Sequence, residues 1–342
     1  MRWGSYVRLL VMSLGLCVPD IALAQAVAVD SPRTSWGQPD LQGVWDFRIA
    51  TPLERPEELA GKGVLSDEEA AAVIQQLEDR WTQLGEGSAT DPGAYNQFWF
   101  DYGTSVTEDR RTSLIVDPVD GRIPMHTPQA KVRADARGER RREHPADSWE
   151  DRGIAERCIL GFNAGPPMES SAYNNIMQLF QTPDYVVILN EMVNDSRVVP
   201  LDGRPHLPSD VRQWRGDSRG RWEGETLIVD TMNFTGKTQF RGSGETLRLV
   251  ERFTRVDEDT LEYEVTIEDP TVWTAPWTIR QELKRQSQEQ NRVYYEPRCH
   301  EGNYGLPALL LGARMDEQAF VEGRGPDPFS FSIFDAAALQ RP

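Results

Sequence analysis

Leu261-Glu262-Tyr263-Glu264-Val265-Thr266-Ile267 decides the fold. Apolar side chains alternate with Glu and Thr at a period of two, which an extended strand turns into one dry face and one wet face. The same grammar repeats on either side of it. YVVILNEMV from Tyr185, SRVVPL, GETLIVDTMNF, TLRLVERFTRV, WTIRQELKRQ and RVYYEP are short and rich in Val, Ile, Thr, Tyr and Trp. Asp202-Gly203 and Asp120-Gly121 suit tight turns that need φ > 0, and Val256-Asp257-Glu258-Asp259 suits a longer hairpin loop. TSLIVDPVDGRIP, residues 112–124, repeats the strand–DG–strand form. Consecutive hairpins with no helix between them predict an antiparallel meander. About eight such strands tend to close into a barrel, with a β-sandwich as the alternative.

Toward the N-terminus, Leu41-Gln42-Gly43-Val44-Trp45-Asp46-Phe47 reads as the first strand. Ser66 with Glu69 forms a capping-box pattern, and Val73, Ile74, Leu77 and Trp81 recur at helical spacing, which predicts a helix near 66–82. A second helix is predicted near 128–143 on KVRADARGERRRE, with its arginines on a solvated face, and further helix toward the C-terminus. Residues 85–103 read as an aromatic-rich loop. Residues 25–40 read as a flexible lead-in, and 41–342 as a single mainly β domain with a few peripheral helices.

The first residues predict export. Arg2 and Arg8 precede an apolar run from Leu9 to Val18, and Ala22-Leu23-Ala24 offers a small-x-small cleavage pattern, so residues 1–24 read as a cleaved signal peptide. Leu16 before Cys17 argues against lipoprotein processing. The expected location is periplasmic or secreted. The formal charge of −17 would repel nucleic acid and anionic lipid at long range, so neither a nucleic-acid partner nor membrane insertion is expected. The oligomeric state is not legible. Cys158 and Cys299 remain after cleavage, and two cysteines in an oxidising compartment most often pair. Free structural thiols, or a nucleophile beside His300, are the other readings.

No metal signature occurs: the four histidines show no H-x-H or HExxH spacing, and there is no CxxC. No Gly-rich phosphate loop or dinucleotide fingerprint occurs either, so no cofactor is expected. Gly216-Asp217-Ser218-Arg219-Gly220 fits G-x-S-x-G, which would make Ser218 the nucleophile of a serine hydrolase. A nucleophile elbow needs a strand before the Ser and a helix after it. Here RWEGETLIVD follows, so the rival reading is a polar hairpin loop. Cys299-His300-Glu301-Gly302-Asn303-Tyr304 places an imidazole, a carboxylate, an amide and a phenol together after a strand. Tyr173-Asn174-Asn175 with Gln178, then Asn190-Glu191 after YVVIL, would line a cavity or form turns and edges. Arg204-Pro205-His206 and Arg221-Trp222-Glu223 supply further polar and aromatic groups, and ten Trp leave several free to face a ligand.

GRWEGETLIVDTMNF, LDGRPHLP, ERFTRVDEDTLEYEVTIEDP and CHEGNYG resemble a broad, largely uncharacterised family of exported bacterial proteins, over about Leu41 to Gly312. The resemblance implies no catalytic residues. This chain has Asn194 in EMVND, where many members carry His, so a role for that imidazole does not transfer. Gly43-x-Trp45 on a first strand is also similar to the start of lipocalins, and implies a calycin-like barrel.

Three functions follow as expectations. The first is a cofactor-independent enzyme doing acid/base chemistry (a lyase, isomerase or hydrolase step) on a small apolar or aromatic molecule in a barrel cavity. His300, Glu301, Glu191 and His206 would be its catalytic groups, and Asn175, Arg221, Tyr304, Trp222 and Asn303 would hold the substrate. The second is a periplasmic carrier for a hydrophobic ligand in the same cavity. The third, a surface or assembly protein, has no repeat array or low-complexity stalk to support it.

Overall fold

A computed structural model describes residues 32–86, 103–171, 173–238, 240–287, 299 and 303–327. Among them are β1 (Gly43–Asp46), β2 (Ile115–Asp117), β3 (Ile176–Gln181), β4 (Tyr185–Asn190), β5 (Asp195–Pro200), β6 (Asp217–Glu223), β7 (Thr226–Met232), β8 (Arg248–Arg255), β9 (Thr260–Glu268) and β10 (Trp277–Arg285). The helices are α1 (Asp67–Glu86), α2 (Pro128–Glu143) and α3 (Gly305–Val321). The strands form one ten-stranded sheet in the order β5-β4-β3-β1-β10-β9-β8-β7-β6, with β2 also beside β10. Every ladder is antiparallel, and the sheet curls into a nearly closed barrel.

The period of two sets the inward face. Leu261, Tyr263, Val265 and Ile267 of β9 are fully buried, and Leu249 and Phe253 of the neighbouring β8 stand beside Ile267 and Tyr263 on the same inward face. Closure depends on a small residue. At Gly220 of β6 a Cβ atom would stand 2.5 Å from Leu201 Cδ2 and 2.9 Å from Val199 Cγ1, so only glycine lets β6 approach β5 this closely.

Three details differ from the sequence reading. β1 inserts between β3 and β10, so the path is not a pure meander. Gly216-Asp217-Ser218-Arg219-Gly220, read as a polar hairpin loop, is the first half of β6 from Asp217 on. Its polar character reflects an outer face carrying Asp217 and Arg219. The DG turn at Asp120-Gly121 does form, with Gly121 at φ 71°, but only β2 on one side of it is a strand. RVYYEP lies outside the described residues, as do the signal segment and cleavage site.

Both N-terminal helices form as their caps direct. The Ser66 backbone N–H donates to Glu69 Oε2 at 2.7 Å. Thr127 caps α2 by accepting from the Ala130 N–H, and Pro128 takes the first helical position, where a missing N–H costs nothing. No helix among the described residues is long and apolar enough to cross a membrane.

The two ends of the barrel differ. At one end the links are tight: 182–184, 224–225 and 256–259. At the other lie the β4–β5 turn 191–194, the long β7–β8 loop 233–247, the β9–β10 loop 269–276 and the segment 158–175 that feeds β3. Loops of that length over a rigid scaffold are where function concentrates.

Candidate functional site

A polar band crosses the middle of the otherwise apolar barrel. Arg197 of β5 reaches Glu251 of β8 with two hydrogen bonds, one of them Nη2 to Oε1 at 2.9 Å. Tyr263 Oη donates to Glu251 Oε1 at 3.0 Å and accepts from the Met168 backbone N–H at 3.2 Å. Gln281 Nε2 donates to the Met168 carbonyl at 3.3 Å. Burial alone would push the Arg197 guanidinium down, but the Glu251 carboxylate outweighs it and holds Arg197 above its usual value. Burial, with the Glu251 charge added, pushes the Tyr263 phenol well above its usual value, so it stays protonated. Trp45, Met168, Phe253 and Leu283 around this band have no accessible surface, so the centre of the barrel is packed.

Polar groups of another kind gather at the long-loop end. Asn163 Nδ2 lies 2.9–3.2 Å from Ser171 Oγ, the Tyr173 and Asn174 carbonyls and Asn175 Oδ1. Asn175 closes the knot, donating to the Ser171 carbonyl and accepting from its N–H. Its own carbonyl accepts from the Phe47 N–H, which ties the knot to the strand wall. Glu191 is 1% exposed, and its N–H donates to the Ile176 carbonyl at the neighbouring strand end. Just beyond it, Val193 and Asn194 adopt φ of 63° and 50°. A β-branched residue in this region is strained. Cys158, Asn174, Asn233 and Arg241, also at positive φ, sit in loops at the same end, leaving Arg110 as the other described non-glycine residue of this kind.

Several buried polar atoms on this half of the barrel have no hydrogen-bond partner among the described residues. They include the acceptors Asn163 Oδ1 and Asn190 Oδ1 and the indole N–H groups of Trp273 and Trp277, while Gln281 Oε1, also unpartnered, belongs to the central band. Trp273 and Trp277 pack edge to face at 5.6 Å between centroids, and Phe240 stacks on Trp277. Beneath the β7–β8 loop, Asp269 collects hydroxyls: Ser243 Oγ, Thr246 Oγ1 at 2.9 Å and Thr271 Oγ1 at 2.7 Å. Burial pushes its carboxyl up, but these hydroxyls and the Thr271 N–H outweigh that and hold it below its ordinary value. A lowered native value means the stabilisation is complete above about pH 3.9, the unfolded value, and disappears as pH falls through the native one. Urea unfolding between pH 2.5 and 5 is therefore expected to give Asp269→Asn a shallower rise of stability with pH than the parent. Equal slopes would show that Asp269 takes no part in acid unfolding.

The residues singled out in the sequence divide into groups. Asn175, Glu191 and the cysteines come together at the long-loop end. Cys158 and Cys299 are bonded, Gly161 packs on Met192 beside Glu191, and Asn303 Nδ2 lies 3.2 Å from Cys158 Sγ. Tyr304, beside Asn303 at the start of α3, is 80% exposed. His300 and Glu301 lie outside the described residues. His206 stands apart on the outer wall, with Nδ1 3.0 Å from Asp217 Oδ2; that oxygen also accepts from the Leu207 N–H, and Arg219 binds its partner oxygen. Arg221 is exposed and paired with Glu223, and Trp222 packs half-buried against the core. Ser218 is a mid-strand residue whose Oγ pairs with Thr231 Oγ1 at 2.9 Å, with a hairpin rather than a helix following it. The strand–turn–helix geometry of a nucleophile elbow is therefore not formed there.

Arg197, Glu251, Gln281 and Asn163 were not singled out in the sequence. The first three carried a usable signal: each interrupts the apolar phase of its strand. Among the described residues, no group of three or more His, Cys, Asp or Glu is arranged to hold a metal ion.

No protein-family profile and no curated protein matches the chain. Among solved structures, the crystal structure of a variant of the fluorescent protein UnaG is similar to it over 33% of this chain and 72% of that one, with 17% identity and a TM-score of 0.21.

Proposed function

We propose that the protein is an exported carrier that binds a small, largely aromatic molecule at the long-loop end of its barrel. The unpartnered buried polar atoms there carry this reading. A buried polar group left without a partner costs about 1–3 kcal/mol, so two acceptors and two indole donors on one half of a barrel favour a guest that supplies their partners. Their chemistry describes the guest: hydrogen-bond donors for Asn163 and Asn190, and an aromatic body carrying acceptors for the Trp273 and Trp277 indole N–H groups.

Native mass spectrometry of protein purified from its own compartment, then mixed with that organism's small-molecule extract, tests the reading. A ligand retained in one-to-one stoichiometry and released unchanged is expected. Retention should survive His300→Ala and weaken at least tenfold in Asn190→Leu. Retention that is the same in Asn190→Leu, or no retained ligand, would overturn the reading.

A second reading, an acid/base enzyme, draws on one observation: the Glu191 carboxylate is buried beside the strained Val193–Asn194 turn, and such strain gathers at catalytic sites. Components of the extract that change mass with the parent protein, but not with Glu191→Gln, would select this reading over the carrier.

A further inference from the structure

The chain has 54 acidic against 37 basic residues, yet one helix sorts its charges by face. Arg133, Arg137 and Arg141 recur every four residues along α2. At 100° per residue they fall within an 80° arc, each about 6 Å along the axis from the last. Asp135, Glu139 and Glu143 follow each arginine by two positions and so lie on the far side of the helix. The arginine face is turned toward the barrel's long-loop end. Ala130, in the same arc, is buried, and Arg133 Nη2 donates to the Thr271 carbonyl at 2.8 Å. Arg137 lies over the β7–β8 loop, where a Cβ on Gly242 would stand 2.9 Å from its Nη2.

Neither Arg137 nor Arg141 has an ion pair or hydrogen bond among the described residues, and the nearby carboxylates are already engaged. Glu169 binds Arg241, and Asp269 holds the hydroxyls of Ser243, Thr246 and Thr271. Burial, and then the charges of Arg133 and Arg141, push the Arg137 guanidinium below its ordinary value. Cations at the last turn of a helix are favoured by its dipole, but Arg137 lies too early in α2 to benefit. Like charges spaced four apart on one face repel unless something anionic lies between them.

We propose that Arg137 and Arg141, with Arg133 beside them, form a binding site for a multiply charged oxyanion in the seam between α2 and the β7–β8 loop. The site offers two guanidinium forks to a ligand carrying at least two negative charges, as a phosphate ester or a di- or tricarboxylate does. It does not depend on the carrier reading.

Calorimetric titration of the full chain with inorganic pyrophosphate and with citrate, at fixed ionic strength set by chloride, tests the site. Binding of either probe is expected, weakened at least tenfold in Arg137→Gln and in Arg141→Gln. It should be unchanged in Arg142→Gln, whose side chain lies on the opposite side of α2. Pyrophosphate alone assigns a phosphate ligand and citrate alone a carboxylate. Without ligand, Arg137→Gln should melt no lower than the parent, because the substitution removes a repulsion. A lower melting temperature would mark Arg137 as a structural prop and overturn the proposal. So would no binding of either probe, or an equal loss of binding in Arg142→Gln.

Discussion

Arg197→Met or Glu251→Gln, made singly, is expected to lower the unfolding free energy by about 3–5 kcal/mol, because each leaves a charge or its partners stranded in the barrel. Arg197 is 6% exposed and Glu251 fully buried, so water cannot compensate either one. The triple change Arg197→Met, Glu251→Leu, Tyr263→Phe removes every member of the ion pair and phenol together. It is expected to recover most of that loss, since a well-packed apolar replacement of a buried ion pair is often neutral or better. Urea unfolding of the four proteins measures this. Single variants losing less than about 1 kcal/mol would show that the pair is hydrated in solution. The triple variant also asks why the pair exists, because Tyr263 and Gln281 together hold the Met168 peptide in the lumen. If the band positions that segment rather than stabilising the barrel, the triple variant should be stable yet lose order around residues 163–171. Amide exchange there would report it.

The barrel was legible where one physical rule acts alone. In β9 the alternation Leu261, Tyr263, Val265, Ile267 against Glu262, Glu264, Thr266 needs only a wet side and a dry side, and the structure provides both. β3 was missed because Gln181 takes an inward position and Phe180 an outward one, against the alternation. Gln181 is buried, its Oε1 accepting from the Leu41 N–H and its Nε2 donating to the Pro39 carbonyl. β6 was misread because its inward residues are small. Gly220 sits where β5 comes close, a reason that exists only once the sheet has curled, and Ser218 spends its hydroxyl on Thr231 of β7. The buried band had a visible sign: Glu251 sits between Leu249 and Phe253 in the apolar phase of β8. Its partner Arg197, however, is on a strand at the far end of the sheet order. The clustering of Asn175, Glu191 and the cysteines at one end follows from strand direction, so it could be read only after the pairings were known. The arginine spacing on α2 was fully present in the sequence. What made it more than a solvated face was the position of the Gly242 loop and the prior engagement of the nearby carboxylates, Glu169 by Arg241 and Asp269 by its hydroxyls.

Removing the Cys158–Cys299 bond is expected to have the largest effect on stability. The two Cα atoms are 5.4 Å apart and separated by 141 positions, and the closed loop contains β3 through β10. Unfolding with the bond intact leaves that whole stretch tethered. In the chain-entropy model, releasing it lowers stability by roughly 5 kcal/mol, as much as many domains possess in total. The bond also fixes the start of α3, a helix with no buried residue. Among the described residues its other holds on the rest of the chain are slight: Asn303 to the Glu156 carbonyl and Cys158 Sγ, and Arg314 to the Asp147 carbonyl. Two consequences separate in experiment. The Cys158→Ser/Cys299→Ser variant should unfold at a markedly lower urea concentration than the parent, with a steeper transition slope because the untethered unfolded chain exposes more surface. Under native conditions the same variant should be cut by protease within 303–327 long before the barrel is attacked, because only local opening is needed. A variant that keeps the parent's midpoint but loses α3 to protease would restrict the bond's role to docking the helix. One that keeps both would mean that the reduced chain already holds the two cysteines together. The expected loss bears on where the chain works: in a reducing compartment a barrel this dependent on its cross-link would be only marginally folded, and an oxidising one supplies the bond.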